Sequence, residues 1–187
     1  MIDNIKKAAD ILKHGGIILY PTDTVWGIGC DATNDEAVKK LYNLKQKDAD
    51  ASSLILVSDI NMIYRYVHTV PDIAVQLVEI SDKPLTVVFP NACGVSPEVM
   101  ASDGSLGIRI VNHEYCNGLI RAMKRPLVST SANISGMPAP QSFSEISKTI
   151  IGGVDFVVDA KYAGKMTGKP SSIIKIGLSG EVKVIRS

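Results

Sequence analysis

Eight short apolar runs, each bounded by glycine, proline or polar residues, constrain the fold of this chain more than any other feature. Each run is four or five residues long and is dominated by Ile, Val and Leu, which is typical of buried β-strands. The runs occupy residues 17–20, 54–57, 85–89, 107–111, 127–130, 154–158, 172–176 and 182–185. Helical segments separate the earlier runs, whereas the last runs follow one another. The pattern therefore predicts an α/β fold, with a mixed β-sheet and flanking helices.

Helical spacing of apolar residues marks the segments between these runs. The predicted helices span residues 3–14, 33–45, 59–67, 71–79 and 114–123, and a further one begins after Ser142 or Ser144. In the second helix we expect a capping box, with Thr33 as the N-cap and Glu36 at position N3. We also expect Glu36 to form an ion pair with Lys40, one turn further along.

The charge balance limits the partners that the whole molecule can attract. Lys and Arg total 20 and Asp and Glu total 19, so the formal net charge of the 187-residue chain is +1. Such a chain has no overall field that draws it onto nucleic acid. Any site for an anion must therefore be built locally, within what we expect to be one domain over residues 1–187.

Cysteine usage indicates the cellular compartment. Cys30, Cys93 and Cys116 are widely spaced and form no Cys-x-x-Cys pair, which favours reduced cytosolic thiols over a disulfide framework or a zinc site. The first residues do not have the pattern of a signal peptide, and no apolar run approaches the roughly 20 residues that span a bilayer. We therefore expect a cytoplasmic protein without a metal site of its own.

The stretch 20–31 joins the first predicted strand to the second predicted helix. It contains two threonines, two aspartates, the only tryptophan of the chain and the glycines Gly27 and Gly29. One hypothesis is a connecting loop with a tryptophan in the core. The other is a ligand site, because loops at the carboxyl ends of strands are where open α/β sheets usually bind ligands.

Three cationic residues are candidates for binding an anion. Lys45 and Lys47 close the second predicted helix, where lysines commonly just complement the helix dipole; in an extended exit, however, both could reach one polyphosphate. Arg109 lies within an apolar run, where a lone guanidinium needs an anionic partner. That partner is either an acidic residue of the sheet or the carboxylate or phosphate of a ligand, which Arg can hold with two donors.

Two hydroxyl-rich segments lie beside predicted strands. Ser129, Ser131 and Asn133 lie where a buried run ends, and Ser171 precedes a late run. Such residues often only form turns, but they can also line a site for a phosphate-bearing ligand. The sequence contains no Walker A motif, so phosphate binding would need a different arrangement of donors.

Several blocks of this sequence occur together in one known family. They include Pro21-Thr22-Asp23-Thr24 and Ser131-Ala132-Asn133, and together they cover residues 21–31, 44–47, 54–56, 84–90, 105–109, 126–136 and 170–173. In order and spacing the blocks resemble the threonylcarbamoyl-AMP synthase family (YrdC/TsaC), in its single-domain bacterial form, along nearly the whole chain. The resemblance implies a twisted mixed sheet around a basic concave cleft.

The resemblance also implies an activity and its partners. Members of the family join L-threonine, bicarbonate or CO2 and ATP into threonylcarbamoyl-AMP and release pyrophosphate, on the way to threonylcarbamoyladenosine in tRNA. ATP would be a substrate, and Mg2+ is expected on its phosphates. The partners implied are a downstream tRNA threonylcarbamoyl transferase and weak contact with tRNA or other RNA, without a membrane.

Position by position, the resemblance assigns roles to ten residues. It places ATP on Lys45, Lys47, Ser105, Ser131, Asn133 and Arg186. It places threonine on Thr24, Arg109, Ser129 and Ser171, with Arg109 on the carboxylate. The cations Lys45, Lys47 and Arg109 would act catalytically by offsetting negative charge, because the attack of a carbamate on a phosphate brings two anions together.

One position departs from the family pattern and keeps other functions open. Lys47 stands where the family usually has Arg, which retains the charge but not the two-pronged donor geometry. This departure leaves room for an inactive paralogue. An RNA-binding module is a second alternative, because the family shape permits a phosphate backbone in the cleft. A third is a carbamoyl-transferring domain like that of hydrogenase maturation proteins, although no zinc-finger or acylphosphatase-like segment accompanies it.

Overall fold

A computed structural model describes residues 1–46 and 53–187 of the chain. The α-helices of this part are α1 (Ile2–Lys13), α2 (Asp35–Lys45), α3 (Ile60–Ile63), α4 (Asp72–Ile80), α5 (Glu114–Met123) and α6 (Lys148–Gly153). The strands are β1 (Ile18–Tyr20), β2 (Gly27–Gly29), β3 (Leu54–Val57), β4 (Leu85–Phe89), β5 (Leu106–Ile110), β6 (Leu127–Ser131), β7 (Phe156–Val157), β8 (Ser172–Ile176) and β9 (Val182–Arg186).

These strands form one sheet in the order β7-β1-β2-β6-β3-β5-β4-β8-β9. The pairs β1/β7, β3/β5 and β4/β8 are parallel, and the other neighbours are antiparallel. The predicted α/β fold with a mixed sheet and flanking helices is therefore confirmed. None of the helices in the described ranges is long and apolar enough to cross a membrane.

The stretch 20–31 differs from its prediction as a simple strand-to-helix turn. It contains the additional strand β2, which pairs antiparallel with β1 and leaves residues 21–26 as a hairpin loop. The glycines are the reason that β2 fits, because a Cβ on Gly29 would lie 2.1 Å from the carbonyl oxygen of Val128 on the next strand. A strand of Gly-Ile-Gly has no apolar alternation, so sequence periodicity does not reveal it.

The start of α2 also differs from the prediction. The N-cap is Asn34, whose side-chain oxygen accepts a hydrogen bond from the Ala37 amide at 3.0 Å. Thr33 does not cap the helix, because its amide and its hydroxyl both donate to the buried carboxylate of Asp31. Lys40 pairs with Asp155, 115 residues away in the chain, and not with Glu36.

The core lies on both sides of the central strands. Trp26 is 2% exposed and packs edge-on against Phe143, with 5.0 Å between ring centroids, which agrees with a tryptophan in the core. Helix α1 packs against α5 and buries the apolar face of Ile5, Ala8, Ala9 and Leu12. Cys30 and Cys116 are unpaired and buried, and burial raises the pKa of both thiols well above the usual range.

Candidate active site

A cavity of about 340 Å³ opens on one face of the sheet. Its lining includes residues two apart on neighbouring strands, whose side chains point to the same face. These are Thr86 and Val88 of β4, Gly107 and Arg109 of β5, Ser129 and Ser131 of β6, and Ser171 and Ile173 at β8. The cavity is therefore a product of strand order, which brings together segments far apart in the sequence.

The register between neighbouring strands determines which residues form the floor of the cavity. Leu54 of β3 lies opposite Gly107 on one side and Ser129 on the other, and Val88 lies opposite Gly107. A Cβ on Gly107 would approach Thr86 Cγ2 to 3.3 Å and Leu54 Cβ to 3.4 Å, tighter than most side-chain contacts. The glycine therefore leaves space in the middle of this row.

Arg109 is 3% exposed and lies against the loop 21–26. Its Nη1 donates to Asp23 Oδ1 at 2.5 Å and its Nη2 donates to Thr24 Oγ1 at 3.4 Å. The other carboxylate oxygen of Asp23 accepts from the Asn112 amide at 3.1 Å. The buried arginine thus has an anionic partner in the chain, supplied by the loop and not by a strand. Arg109 also lines the cavity, and these two contacts use two of its five N–H donors.

The hydroxyls of the loop 21–26 are ordered by their own hydrogen bonds. Thr22 Oγ1 donates to the Val25 carbonyl at 2.7 Å, so its single proton is used there. Thr22 therefore has no proton left for its 2.9 Å contact with the Thr24 hydroxyl, which directs the Thr24 proton to an oxygen that also accepts from the amides of Thr24 and Val25 at 3.1 and 3.3 Å. Because Thr24 Oγ1 also accepts from Arg109 Nη2, Thr24 offers the cavity one remaining lone pair and not a proton.

Ser105 is buried at the edge of the cavity and is held by an acidic neighbour. Its amide and its hydroxyl both donate to Asp103 Oδ1, at 3.0 and 2.6 Å. Lys175 of β8 donates to the other oxygen of Asp103 at 2.5 Å. The hydrogen bond from Lys175, followed by those from Ser105, lowers the pKa of Asp103 well below its usual range. Ser105 therefore also presents an oxygen acceptor.

Ser171 and Arg186 meet at the far side of the cavity. The Ser171 hydroxyl is 2.7 Å from the Thr86 hydroxyl, and the Ser171 carbonyl accepts from Arg186 Nε at 3.0 Å and Nη2 at 2.8 Å. Strand β9 pairs Val184 with Ile174 and Arg186 with Ile173, so Ile185 is the extra residue of a β-bulge. The bulge brings both Ile185 and Arg186 to the cavity, which is a common use of bulges near sites.

Lys45 lies beside the cavity and outside its lining. Its side chain is 4% exposed, and Nζ donates to the carbonyls of Ser131 and Asn133, each at 2.7 Å. Burial lowers the pKa of Lys45 to about 8. The amide nitrogen of Asn133 donates to the carbonyls of Ile134 and Met137, so this side chain closes its own turn. Lys47 lies outside the described residues.

Seven of the ten predicted site residues therefore line one cavity. They are Thr24, Ser105, Arg109, Ser129, Ser131, Ser171 and Arg186. Lys45 joins them through the Ser131 carbonyl, and Asn133 lies in the same turn. Their roles towards ATP and threonine stay predictions.

Sequence reasoning did not assign a role to several residues that support these side chains. Asp23 is one of them, although its place in the Pro-Thr-Asp-Thr block was a usable signal. Thr86, Tyr20 and Asp103 are others, and the Tyr20 hydroxyl donates to Ser129 Oγ at 2.8 Å. Tyr20 and Thr86 lie within apolar strands, where local pattern indicates only the core.

The charges around the cavity are few. Arg109 and Arg186 are the charged residues of its lining within the described part of the chain, and Arg109 is already paired with Asp23. The basic character expected of the cleft thus stays a prediction. Residues 1–46 and 53–187 contain no group of three His, Cys, Asp or Glu side chains that could hold a metal ion.

Comparison with known proteins relates this architecture to a family. Residues 10–187 match the family model for Sua5, YciO and YrdC, which is described as telomere recombination. The chain is 37% identical to a putative threonylcarbamoyl-AMP synthase of Methanocaldococcus jannaschii, over 91% of this chain and 81% of that protein. It is 31% identical to the threonylcarbamoyl-AMP synthase of Cellvibrio japonicus, over 95% of this chain and 93% of that protein.

Solved structures show the same fold. The crystal structure of P. abyssi Sua5 complexed with L-threonine superimposes with a TM-score of 0.86 at 27% identity, over 94% of this chain and 52% of that one. The chain therefore spans about half the length of that protein. E. coli YciO gives a TM-score of 0.86 at 21% identity, over 100% of this chain and 90% of that one, and supports the fold alone.

Proposed function

We propose, from the premise that the chain belongs to the Sua5/YciO/YrdC family, that it is a threonylcarbamoyl-AMP synthase. It would convert L-threonine, bicarbonate or CO2 and ATP into threonylcarbamoyl-AMP and pyrophosphate. The observation that carries the proposal is the convergence of Thr24, Arg109, Ser129 and Ser171 on one cavity. Its volume of about 340 Å³ lies within the range of roughly 300–1,000 Å³ of small-molecule sites. Residues 1–187 would form one domain with this activity.

The polar groups of the cavity suit an amino acid. Arg109 supplies charged N–H donors for the carboxylate, and Arg fits a carboxylate with two parallel hydrogen bonds. Thr24 supplies the lone pair that Arg109 leaves free, since its proton is directed to Thr22. An ammonium or amine group of the ligand can donate to such an acceptor. Threonine would thus be oriented with its amine near the loop 21–26 and its carboxylate towards Arg109.

ATP would lie where β6 ends. Ser131 and Ser105 line that part of the cavity. Lys45, outside the lining, donates hydrogen bonds to the carbonyls of both Ser131 and Asn133. Arg186 reaches the same cavity from β9 and keeps N–H donors that Ser171 does not use. Lys47 would add a further cation on the phosphates.

The proposed reaction depends more on how the protein positions its substrates than on a nucleophilic side chain of the protein. The threonine amine attacks CO2 to form a carbamate, and a carbamate oxygen then attacks the α-phosphorus of ATP while pyrophosphate leaves. The second step brings two anions together, so cations held in place by the fold lower its barrier. The described residues offer no carboxylate cluster for Mg2+, so the metal would arrive on the ATP phosphates and add charge neutralisation there.

The product is a labile mixed anhydride, so the next step would follow soon after release. We propose that a tRNA threonylcarbamoyl transferase consumes it, with at most weak contact between tRNA and this chain. The near-zero net charge agrees with weak contact.

The proposal is tested by incubating the purified protein with ATP, bicarbonate and L-threonine and measuring pyrophosphate. We expect release that depends on threonine and is strongly reduced in Arg109→Lys, because lysine lacks the fork that holds Asp23 and a carboxylate together. The matched control is Arg121→Lys, at an exposed position of α5 away from the cavity. Pyrophosphate release that is absent, or equal with and without threonine, would refute the synthase.

A further inference from the structure

Tyr20 is a fully buried residue that takes no direct part in the proposed reaction. It lies on β1, yet its hydroxyl reaches Ser129 on β6 across the intervening strand β2. Gly27 and Gly29 of β2 make this possible. Their ideal Cβ atoms would lie 3.6 Å from Tyr20 Cζ and 3.0 Å from Tyr20 Cε1. The glycine pair therefore provides the path along which the phenol reaches the cavity wall.

The direction of this hydrogen bond follows from what else is available. The Tyr20 hydroxyl is 0% exposed, and Ser129 Oγ is the partner it has among the described residues. If Ser129 donated instead, the phenol proton would be buried without an acceptor, which costs about 1–3 kcal/mol. Burial also raises the pKa of Tyr20 well above its usual range, so the phenol keeps its proton. Tyr20 is thus the donor and Ser129 the acceptor.

This leaves the proton of Ser129 for the cavity. Ser129 is 7% exposed and lines the cavity, and within the described ranges the hydrogen bond of its hydroxyl is the one that it accepts from Tyr20. A serine hydroxyl has one proton and two lone pairs, so once it accepts from Tyr20 it can still donate. Thr24 and Ser105, by contrast, have already used their protons on Thr22 and Asp103. Among these three hydroxyls, Ser129 is the one that remains a donor.

The group that receives this proton should be anionic. Arg109 and Ser129 both line the cavity, and strand register places Ser129 in one row with Leu54 and Gly107, two residues before Arg109 on β5. A carboxylate that binds Arg109 would therefore occupy the cavity that the Ser129 hydroxyl also lines. Hydrogen bonds to a charged acceptor are stronger than those between neutral groups.

We propose that Tyr20 is a positioning residue, which sets the Ser129 hydroxyl as a hydrogen-bond donor to the carboxylate of the bound amino acid. The inference rests on the proposed threonine site. It adds that hydrogen-bond donors lie on one side of this site and an acceptor on the other. Arg109 and Ser129 form the donor side of the cavity, and Thr24 forms the acceptor side. An α-amino acid carries groups that match both sides.

The test is a double-mutant cycle of Tyr20→Phe and Ser129→Ala, read as the KM for threonine, the KM for ATP and kcat. Tyr20→Phe keeps the ring and removes the donor. We expect it to raise the KM for threonine roughly three- to tenfold, the loss of one hydrogen bond, and to leave the KM for ATP unchanged. In the Ser129→Ala background the same substitution should have no further effect on the KM for threonine.

Two controls separate positioning from a general loss of stability. Tyr115→Phe removes another buried phenol, whose hydroxyl donates to Asn4 Oδ1 at 2.6 Å, and should leave the KM for threonine unchanged because neither residue lines the cavity. L-2-Aminobutyrate keeps the carboxylate of threonine and lacks its hydroxyl. As a competitor of threonine, it should lose affinity in Tyr20→Phe by the same factor as threonine.

Each contrary result has a distinct meaning. An unchanged KM for threonine in Tyr20→Phe, in a protein that still makes pyrophosphate with threonine, would overturn the inference and leave the synthase standing. Additive effects of the two substitutions would also overturn it. A penalty that vanishes with L-2-aminobutyrate would overturn the carboxylate as the acceptor. An unsubstituted protein that does not bind threonine would overturn both the inference and the proposed function.

Discussion

Asp23 and Arg109, 86 residues apart in the chain, form an ion pair whose side chains are 10% and 3% exposed. Removing one member of such a pair leaves the other charge buried without compensation, which typically destabilises a protein by about 3–5 kcal/mol. We therefore expect Arg109→Met to lower the free energy of unfolding by about that amount, in urea titrations followed by circular dichroism.

The matched double variant Arg109→Met with Asp23→Asn should regain part of this loss, because the buried carboxylate is gone while an acceptor remains for the Asn112 amide. It should stay unable to bind threonine. A double variant no more stable than Arg109→Met would show that the two charges do not depend on each other.

Lys45 should make stability depend on pH in the alkaline range. Its pKa is about 8 in the folded protein and 10.5 for a lysine in water, so the unfolded chain binds more protons between these values. The free energy of unfolding contributed by this group therefore rises as pH increases from about 8 to 10.5. We expect Lys45→Gln, which can still donate to the two carbonyls, to show a smaller rise over that window.

Urea titrations at several pH values measure this difference. Lys13→Gln, at the exposed end of α1, is the control and should behave as the unsubstituted protein does. If the free energy of unfolding rises equally in Lys45→Gln and in the unsubstituted protein, Lys45 does not lose its charge on folding in this pH range.

Gly29 should tolerate no side chain. A Cβ there would lie 2.1 Å from the Val128 carbonyl oxygen and 3.1 Å from the Tyr20 hydroxyl, so neighbouring strands would have to separate. We expect Gly29→Ala to destabilise the protein by about 1–3 kcal/mol or more, the range for overpacking a core. Gly152→Ala, in α6 with open space around its Cβ, should instead be neutral or stabilise by about 0.5–1 kcal/mol. Thermal unfolding of the two variants gives the comparison, and equal melting temperatures would contradict the close packing of β2.

Arg186 should affect the binding of threonine through Ser171, in addition to any effect that it has on the binding of ATP. Its Nε and Nη2 both donate to the Ser171 carbonyl. A lysine ammonium lacks the planar guanidinium geometry that makes this two-donor contact possible. We expect Arg186→Lys to raise the KM for threonine roughly three- to tenfold, the loss of one hydrogen bond. Lys183→Arg, on an exposed position of the same strand, is the control. A change in the KM for ATP alone would show that Arg186 serves only the nucleotide.

Elements with strong local periodicity could be predicted closely. The strand Leu85–Phe89 and the helix Glu114–Met123 begin and end at the predicted residues. Both carry apolar residues at the spacing that their own backbone repeats, so the information is contained within ten residues or fewer. The hydroxyl segments at Ser129 and Ser171 were also visible, because they interrupt apolar runs at strand ends.

The contacts that build the site were beyond local pattern. Strand β2 has no apolar alternation that a sequence pattern could reveal. Asn34, and not Thr33, caps α2, because the amide and hydroxyl of Thr33 both donate to the buried Asp31. The choice between an internal and a ligand partner for Arg109 also depended on where a distant loop lies. Sequence spacing cannot supply that position, because it records neighbours along the chain and not neighbours across a sheet.

The amino-acid sequence by itself determined which strongly periodic segments become strands and helices, β2 excepted, and which polar groups lie where those strands end. Tertiary structure alone decided where each polar hydrogen points: Tyr20 to Ser129, 109 residues away, and Arg109 to Asp23. The physical reason is that a buried donor must find an acceptor at about 3 Å, and strand order and register decide which acceptor is there.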